Sequence, residues 1–177
     1  IELIKMELLM VIFYSYLSGS IPFGLVLTKV ITGKDIRKIG SGNIGATNVF
    51  RTGSKILSIL TLILDALKGF FPVVITQKFF PEYFQISCLI VFLGHIFPLW
   101  LKFKGGKGVA TYLGVLFALS YELSILFIFT WIVVLLIFKF SSVSSIFSSL
   151  TVFIVTFFRE SIGKTIIQDF DITSNLK

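Results

Sequence analysis

The chain has little with which to build the commoner kinds of active site. Its 177 residues include one cysteine and one histidine. A single cysteine excludes a disulfide within the chain, and Cys88 lies in an apolar run where it reads as packing. A single histidine, His95, excludes a histidine pair for a metal ion and leaves one candidate for any histidine base. Acids are scarce as well: nine Asp and Glu face 16 Lys and Arg, a formal net charge of +7. No carboxylate pair, no Ser-His-Asp order and no zinc motif can be assembled from what remains. His95 also fails the H-x4-D acyltransferase signature, because Trp100 stands where the aspartate belongs. It reads instead as a satisfied histidine packed near a helix end. No metal and no cofactor is expected.

Apolar residues are what the chain has in abundance. They make up 55% of it, with 21 phenylalanines and a mean hydropathy of +0.98. A water-soluble domain of this length does not need so much apolar surface, so the expected fold is all-α, a polytopic integral membrane helical bundle. The apolar runs predict about six spanning helices, near residues 6–31, 55–76, 83–101, 108–120, 123–138 and 143–158. The fourth is short for a crossing of roughly 20 residues. The first begins too long for a secretory signal and lacks a small-residue cleavage site. It contains Ser18-Gly19-Ser20-Ile21-Pro22-Phe23-Gly24, which bends or interrupts the helix. Candidate starts are Met6, a non-standard initiator at Ile1, or a residue upstream. Residues 1–158 are expected to form one membrane domain, and 159–177 a loose polar tail.

The basic residues lie between these runs, which fits membrane topology and not nucleic-acid binding. Lys34, Arg37, Lys38 and Arg51, then Lys102, Lys104 and Lys107, then Lys139 occupy the first, third and fifth loops. The positive-inside rule therefore puts those loops in the cytoplasm and the N-terminus outside. Two glycine-rich stretches fall on that inner side. Gly40-Ser41-Gly42-Asn43-Ile44-Gly45-Ala46-Thr47-Asn48-Val49-Phe50-Arg51 has the composition of a backbone nest for an anion, with short donors and a planar guanidinium fork. Lys104-Gly105-Gly106-Lys107-Gly108-Val109-Ala110-Thr111 repeats the chemistry with lysines. Gly40 to Gly45 fits G-x-G-x-x-G, but no strand precedes it and no βαβ unit surrounds it. The second stretch is no P-loop, since Leu101 stands at the first glycine position and no Ser or Thr follows the lysine. Two such stretches on one face point to a site for phosphorylated ligands. Within the second span Asp65 and Lys68 share a helix face at i, i+3 and are expected to pair.

Ser18 to Gly24, Gly40 to Arg51, Leu64-Asp65-Ala66-Leu67-Lys68-Gly69-Phe70-Phe71-Pro72-Val73, and Gly94-His95-Ile96-Phe97-Pro98 running on to Thr111 resemble one family. It is the bacterial acyl-phosphate:glycerol-3-phosphate acyltransferase, the PlsY type, and the resemblance covers about residues 6–145. It implies transfer of a fatty acyl group from acyl phosphate to glycerol 3-phosphate in phospholipid synthesis, giving lysophosphatidic acid and phosphate. It implies a multi-pass protein of the bacterial inner membrane, without metal or acyl-CoA, with the acyl-phosphate-producing phosphate acyltransferase as an expected partner. By position it puts Ser41, Arg51 and Lys107 in the catalytic set. Gly40, Gly42, Asn43, Thr47, Asn48, Lys104, Gly105, Gly106, Ser141 and Ser142 follow as substrate-binding residues. Asp65, Lys68 and His95 stand behind them in structural roles. The family pattern continues with a seventh span and an H-x-x-N-I-x-R motif. Arg159-Glu160-Ser161-Ile162-Gly163-Lys164 does not match it, which keeps a catalytically impaired, truncated member as an alternative. From another class, a small organic-phosphate transporter would show inverted repeats, and no internal repeat is found.

Overall fold

The computed structural model describes residues 2–174; of residues 3 and 160–174 it describes only the backbone. Every regular element among the described residues is helical: α1 (Glu2–Ser20), α2 (Phe23–Thr32), α3 (Ala46–Phe50), α4 (Lys55–Phe79), α5 (Phe84–Ile96), α6 (Val109–Leu119), α7 (Tyr121–Phe138) and α8 (Ser141–Ser174). Five runs are long and apolar enough to cross a membrane: Ile4–Thr32, Lys55–Phe79, Pro81–Leu101, Tyr121–Phe138 and Ser141–Arg159. Val109–Leu119 is a shorter apolar helix, as its brief hydrophobic run foretold. The all-helical membrane architecture agrees with the apolar runs. The chain divides into two compact units, Ile1–Tyr121 and Glu122–Lys177.

The first unit is organised around a break in its first span. Pro22 has no N–H to continue the ladder, so α1 stops at Ser20 and α2 starts afresh at Phe23. Freed carbonyls in an apolar surround need donors, and neighbouring elements provide them. Trp100 Nε1 donates to the Ser20 carbonyl at 2.8 Å, and Lys68 Nζ to the Ile21 carbonyl at 2.5 Å. Farther along, hydroxyls join the helices: Ser15 and Ser87 lie 2.9 Å apart, and Tyr14 bonds to Thr76. Such interhelical bonds contribute about 0.6 kcal/mol each on average. Val73, Val91 and Val115 form an apolar core with Cys88 packed against it, in line with the packing role expected of that residue. Large side chains such as Phe13, Ile56 and Phe79 face outward, as lipid contact requires.

Residues 33–54, expected as a loop, form a compact cap. Gly33 ends α2, and Asp35 caps a 3-10 turn over Ile36–Lys38 by accepting the Arg37 N–H at 3.0 Å. Ile36, Ile44 and Val49 then bury themselves against Leu25 and Leu57. The apolar residues scattered through this polar stretch are its private core.

The second unit pairs α7 with α8 within itself. Trp131 Nε1 donates to Ser145 Oγ at 3.3 Å, the rings of Phe138 and Phe147 stack with centroids 6.0 Å apart, and Ser144, Ser148 and Val152 are buried. The backbone of α8 continues to Ser174. The looseness expected of residues 159–177 depends on side chains and on three terminal residues that lie outside those described.

Candidate functional site

The first glycine-rich stretch is shaped from within by Asn48. This side chain is only 2% exposed. Its Nδ2 donates to the carbonyls of Ile36, Ile39 and Asn43 at 3.0, 2.9 and 2.8 Å, and its Oδ1 accepts the Ser41 N–H at 3.0 Å. The Gly42 N–H is also taken, by the Ile39 carbonyl at 3.0 Å. Two of the N–H groups that an anion nest would use are therefore occupied inside the loop. Gly40 has φ +56°, and a Cβ there would lie 2.5 Å from Asn48 Oδ1 and 2.7 Å from Arg51 Cδ. Glycine is needed so that the arginine stem can cross the backbone beside Ser41. Ser41, Thr47 and Arg51 are exposed, and Arg51 makes no ion pair among the described residues. Asn43 Oδ1 is buried without a hydrogen-bond partner among the described residues.

The second stretch is likewise anchored through its backbone. The Gly105 N–H donates to the Ile96 carbonyl at 2.9 Å and the Gly106 N–H to the His95 carbonyl at 3.1 Å. These two amides are therefore also occupied within the chain. Lys104 and Lys107 are exposed on this turn. Lys104 lines a hollow of about 310 Å³ together with Arg37, Trp100, Leu101 and Lys102. That hollow brings the cap after α2 beside the start of the second stretch, so the two cationic loops share one end of the first unit. Lys102 and Phe103 both adopt left-handed backbone conformations, φ 53° and 62°. Such conformations cost about 1–2 kcal/mol per residue. The Phe103 N–H, bonded to the Pro98 carbonyl at 3.0 Å, helps to hold them. Arg37 is braced in turn by Asp35 through Nε–Oδ1 at 2.9 Å and Nη2–Oδ2 at 2.6 Å. That guanidinium holds the half-buried Asp35 carboxyl down to about 2.

Behind these loops lies a buried polar cluster. The expected Asp65–Lys68 pair is present at 2.7 Å, with both side chains 3% exposed. His95 is buried near the end of α5, as expected, with Nδ1 3.1 Å from Thr111 Oγ1 and 3.9 Å from Asp65 Oδ1. No group of three metal-ligating side chains occurs among the described residues. Ser141 and Ser142 begin α8 in the second unit, with Ser141 half-buried and Ser142 exposed. Arg37, Trp100, Leu101 and Lys102 line the hollow although sequence reasoning did not place them at the site. The one available signal for Trp100 was an indole beside a basic run at the end of a span.

Comparison with known proteins identifies the family and the fold. The glycerol-3-phosphate acyltransferase family profile matches residues 9–174. A glycerol-3-phosphate acyltransferase of Pelagibacter ubique (strain HTCC1062) is 56% identical over 147 residues, covering 83% of this chain and 77% of the relative. One from Wolbachia sp. subsp. Brugia malayi (strain TRS) is 51% identical over 156 residues, covering 86% and 81%. The crystal structure of PlsY (YgiH), an integral membrane glycerol 3-phosphate acyltransferase, in its glycerol 3-phosphate form superposes with a TM-score of 0.81. It is 40% identical and the match covers 85% of this chain and 76% of that one. Its lysophosphatidic acid form gives a TM-score of 0.78 at 38% identity, with the same coverage.

Proposed function

Because the chain belongs to the glycerol-3-phosphate acyltransferase family, we propose that it acylates glycerol 3-phosphate at a membrane, with acyl phosphate as donor. The observation that carries this reading is the cationic end of the first unit. Arg51 there is exposed without an ion-pair partner among the described residues, while the surrounding backbone amides are already bonded. Such a surface offers fixed positive charge to a phosphate. The similar structures carry glycerol 3-phosphate in one form and lysophosphatidic acid in the other, the acceptor and the product of this transfer.

The chemistry suits that inventory. The acceptor hydroxyl oxygen attacks the acyl carbonyl carbon, a C–O ester bond forms, and the C–O bond to phosphate breaks. Phosphate leaves with the electron pair, and the hydroxyl proton passes to a phosphate oxygen. No covalent enzyme intermediate is needed, so the protein's task is to hold two anions together in register. Positioning of this kind can contribute about 7–11 kcal/mol. Arg51, Lys107 and Ser41 are assigned to the reacting phosphates, where fixed positive charge offsets their repulsion and steadies the departing one. Lys104 and Thr47 flank them, and Ser141 and Ser142 are assigned to substrate by the family pattern. Asn43 and Asn48, with Gly40, Gly42, Gly105 and Gly106, shape the loops that present these groups. The loops face the cytoplasm of the inner membrane and the N-terminus faces outward, as loop charge requires. An acyl-phosphate-forming phosphate acyltransferase supplies the donor.

The test is purified protein in nanodiscs with acyl phosphate and glycerol 3-phosphate, assayed for equal yields of lysophosphatidic acid and phosphate. Transfer by the parent and its loss in Arg51→Ala are expected. A folded parent protein without transfer would remove the reading.

A further inference from the structure

We propose that Lys68, Asp65 and His95 form a positioning unit that fixes the two glycine-rich stretches relative to each other for the acyl transfer. The proposal rests on the acyltransferase reading for its kinetic consequence, and on distances for its geometry.

An Asp–Lys pair on one helix could be no more than local neutralisation of buried charge. Lys68 reaches further. Its Nζ touches Asp65 Oδ1 at 2.7 Å and also donates to the Ile21 carbonyl at 2.5 Å, while its own carbonyl accepts from Ser18 Oγ at 3.0 Å. Lys68 thus grips the break in the first span from both sides. Gly24, three residues past Ile21, is pressed so closely to the Ile44 carbonyl that a Cβ would run into it. Ile44 is the middle of the first glycine-rich stretch. A displaced break displaces that stretch.

The other end of the unit meets the second stretch. Asp65 Oδ1 lies 3.9 Å from His95 Nδ1, and that nitrogen lies 3.1 Å from Thr111 Oγ1. The His95 carbonyl accepts the Gly106 N–H at 3.1 Å, and a Cβ on Gly106 would strike His95 Nε2. One continuous line of contacts therefore runs from Ile44 through Gly24, Ile21, Lys68, Asp65 and His95 to Gly106. Lys68, Asp65 and His95 are only 5%, 2% and 3% exposed, too enclosed to touch a substrate from outside. They act through the loops.

The decisive variants are Lys68→Met and the double Asp65→Leu/Lys68→Met. The single change leaves a carboxylate buried alone. The double change removes both charges, and apolar replacement of a buried pair is often neutral or stabilising. Its thermal stability should therefore recover to that of the parent. Its kcat/KM should stay at least tenfold low, with a raised KM for glycerol 3-phosphate, because Ile21 keeps only the Phe23 N–H and still lacks the lysine that ties it to α4. Recovery of stability and kinetics together would overturn the proposal. If the double variant does not fold, Lys68→Gln, which keeps a donor without charge, should retain more kcat/KM than Lys68→Met. Equal loss in those two would equally overturn it. Spin labels at Phe50→Cys and Lys102→Cys, with Cys88→Ala, give a readout independent of turnover. A narrow distance distribution should shift or broaden in the variants, and an unchanged one would count against the unit. A parent that does not transfer acyl groups would defeat the functional reading alone, leaving the label distances to judge the geometry.

Discussion

Trp100 donates its indole N–H to the carbonyl of Ser20 across 80 residues of chain, at 2.8 Å. The bond closes the broken end of α1 with a residue from the lip of the cationic hollow. Trp100→Phe keeps an aromatic ring and removes the donor. A loss of about 0.5–1.5 kcal/mol is expected. Circular dichroism in detergent should show it as a fall in Tm of roughly 1–6 °C. An unshifted Tm would mean that the break does not depend on the indole bond.

Arg51 should be sensitive to shape as well as charge. Arg51→Ala removes a charge-assisted contact worth about 1.5–3 kcal/mol and should weaken glycerol 3-phosphate binding by roughly 10- to 150-fold. Arg51→Lys keeps the charge but loses the planar fork, so most of that loss should remain. Calorimetric titration of both variants decides the matter. Near-parental affinity for Arg51→Lys would reduce the residue to a point charge.

Asp35 predicts a pH-dependent contribution to the cap. Its folded-state carboxyl is held at about 2, against an ordinary 3.8, by the hydrogen bonds and charge of Arg37. A depressed carboxyl adds stability that is complete above the ordinary value and is lost as pH falls through the folded one. Comparing parent and Asp35→Asn by thermal unfolding should show the parent ahead at pH 5–7. The difference should fade between about pH 4 and 2. A constant difference across that range would point to shape instead of charge.

Orientation has its own test. With Cys88→Ala as background, Lys34→Cys should be protected from an impermeant thiol reagent added outside whole cells, and Tyr121→Cys should react. The reverse pattern would move both glycine-rich stretches to the outer face.

The parts of this fold that were legible in the sequence are those set by near neighbours. Pro22 with flanking small residues marked the break, and spacing alone put Asp65 beside Lys68. The short run near 108–120 foretold a short helix. What escaped was the long-range bookkeeping of the break, because the side-chain donors to Ser20 and Ile21 sit 80 and 47 residues away. The nest reading of Gly40 to Arg51 was incomplete for a related reason. Composition shows that amides can converge, but not that Asn48 has already gathered the loop around itself. Ile36, Ile44 and Val49 were the available signal that this loop folds on a core of its own.

The pairing of Asp65 with Lys68 inside one helix also bears on how the chain is made. A lone charge at the centre of an inserting helix costs about 2.5–3.5 kcal/mol on translocon scales. Because the partner is three residues away on α4 itself, the segment carries its own counter-charge from the moment it becomes helical. It can enter the bilayer before docking is complete. Lys68 can then turn one of its remaining donors to the waiting carbonyl of Ile21, so the same side chain serves first in membrane insertion and afterwards in assembly.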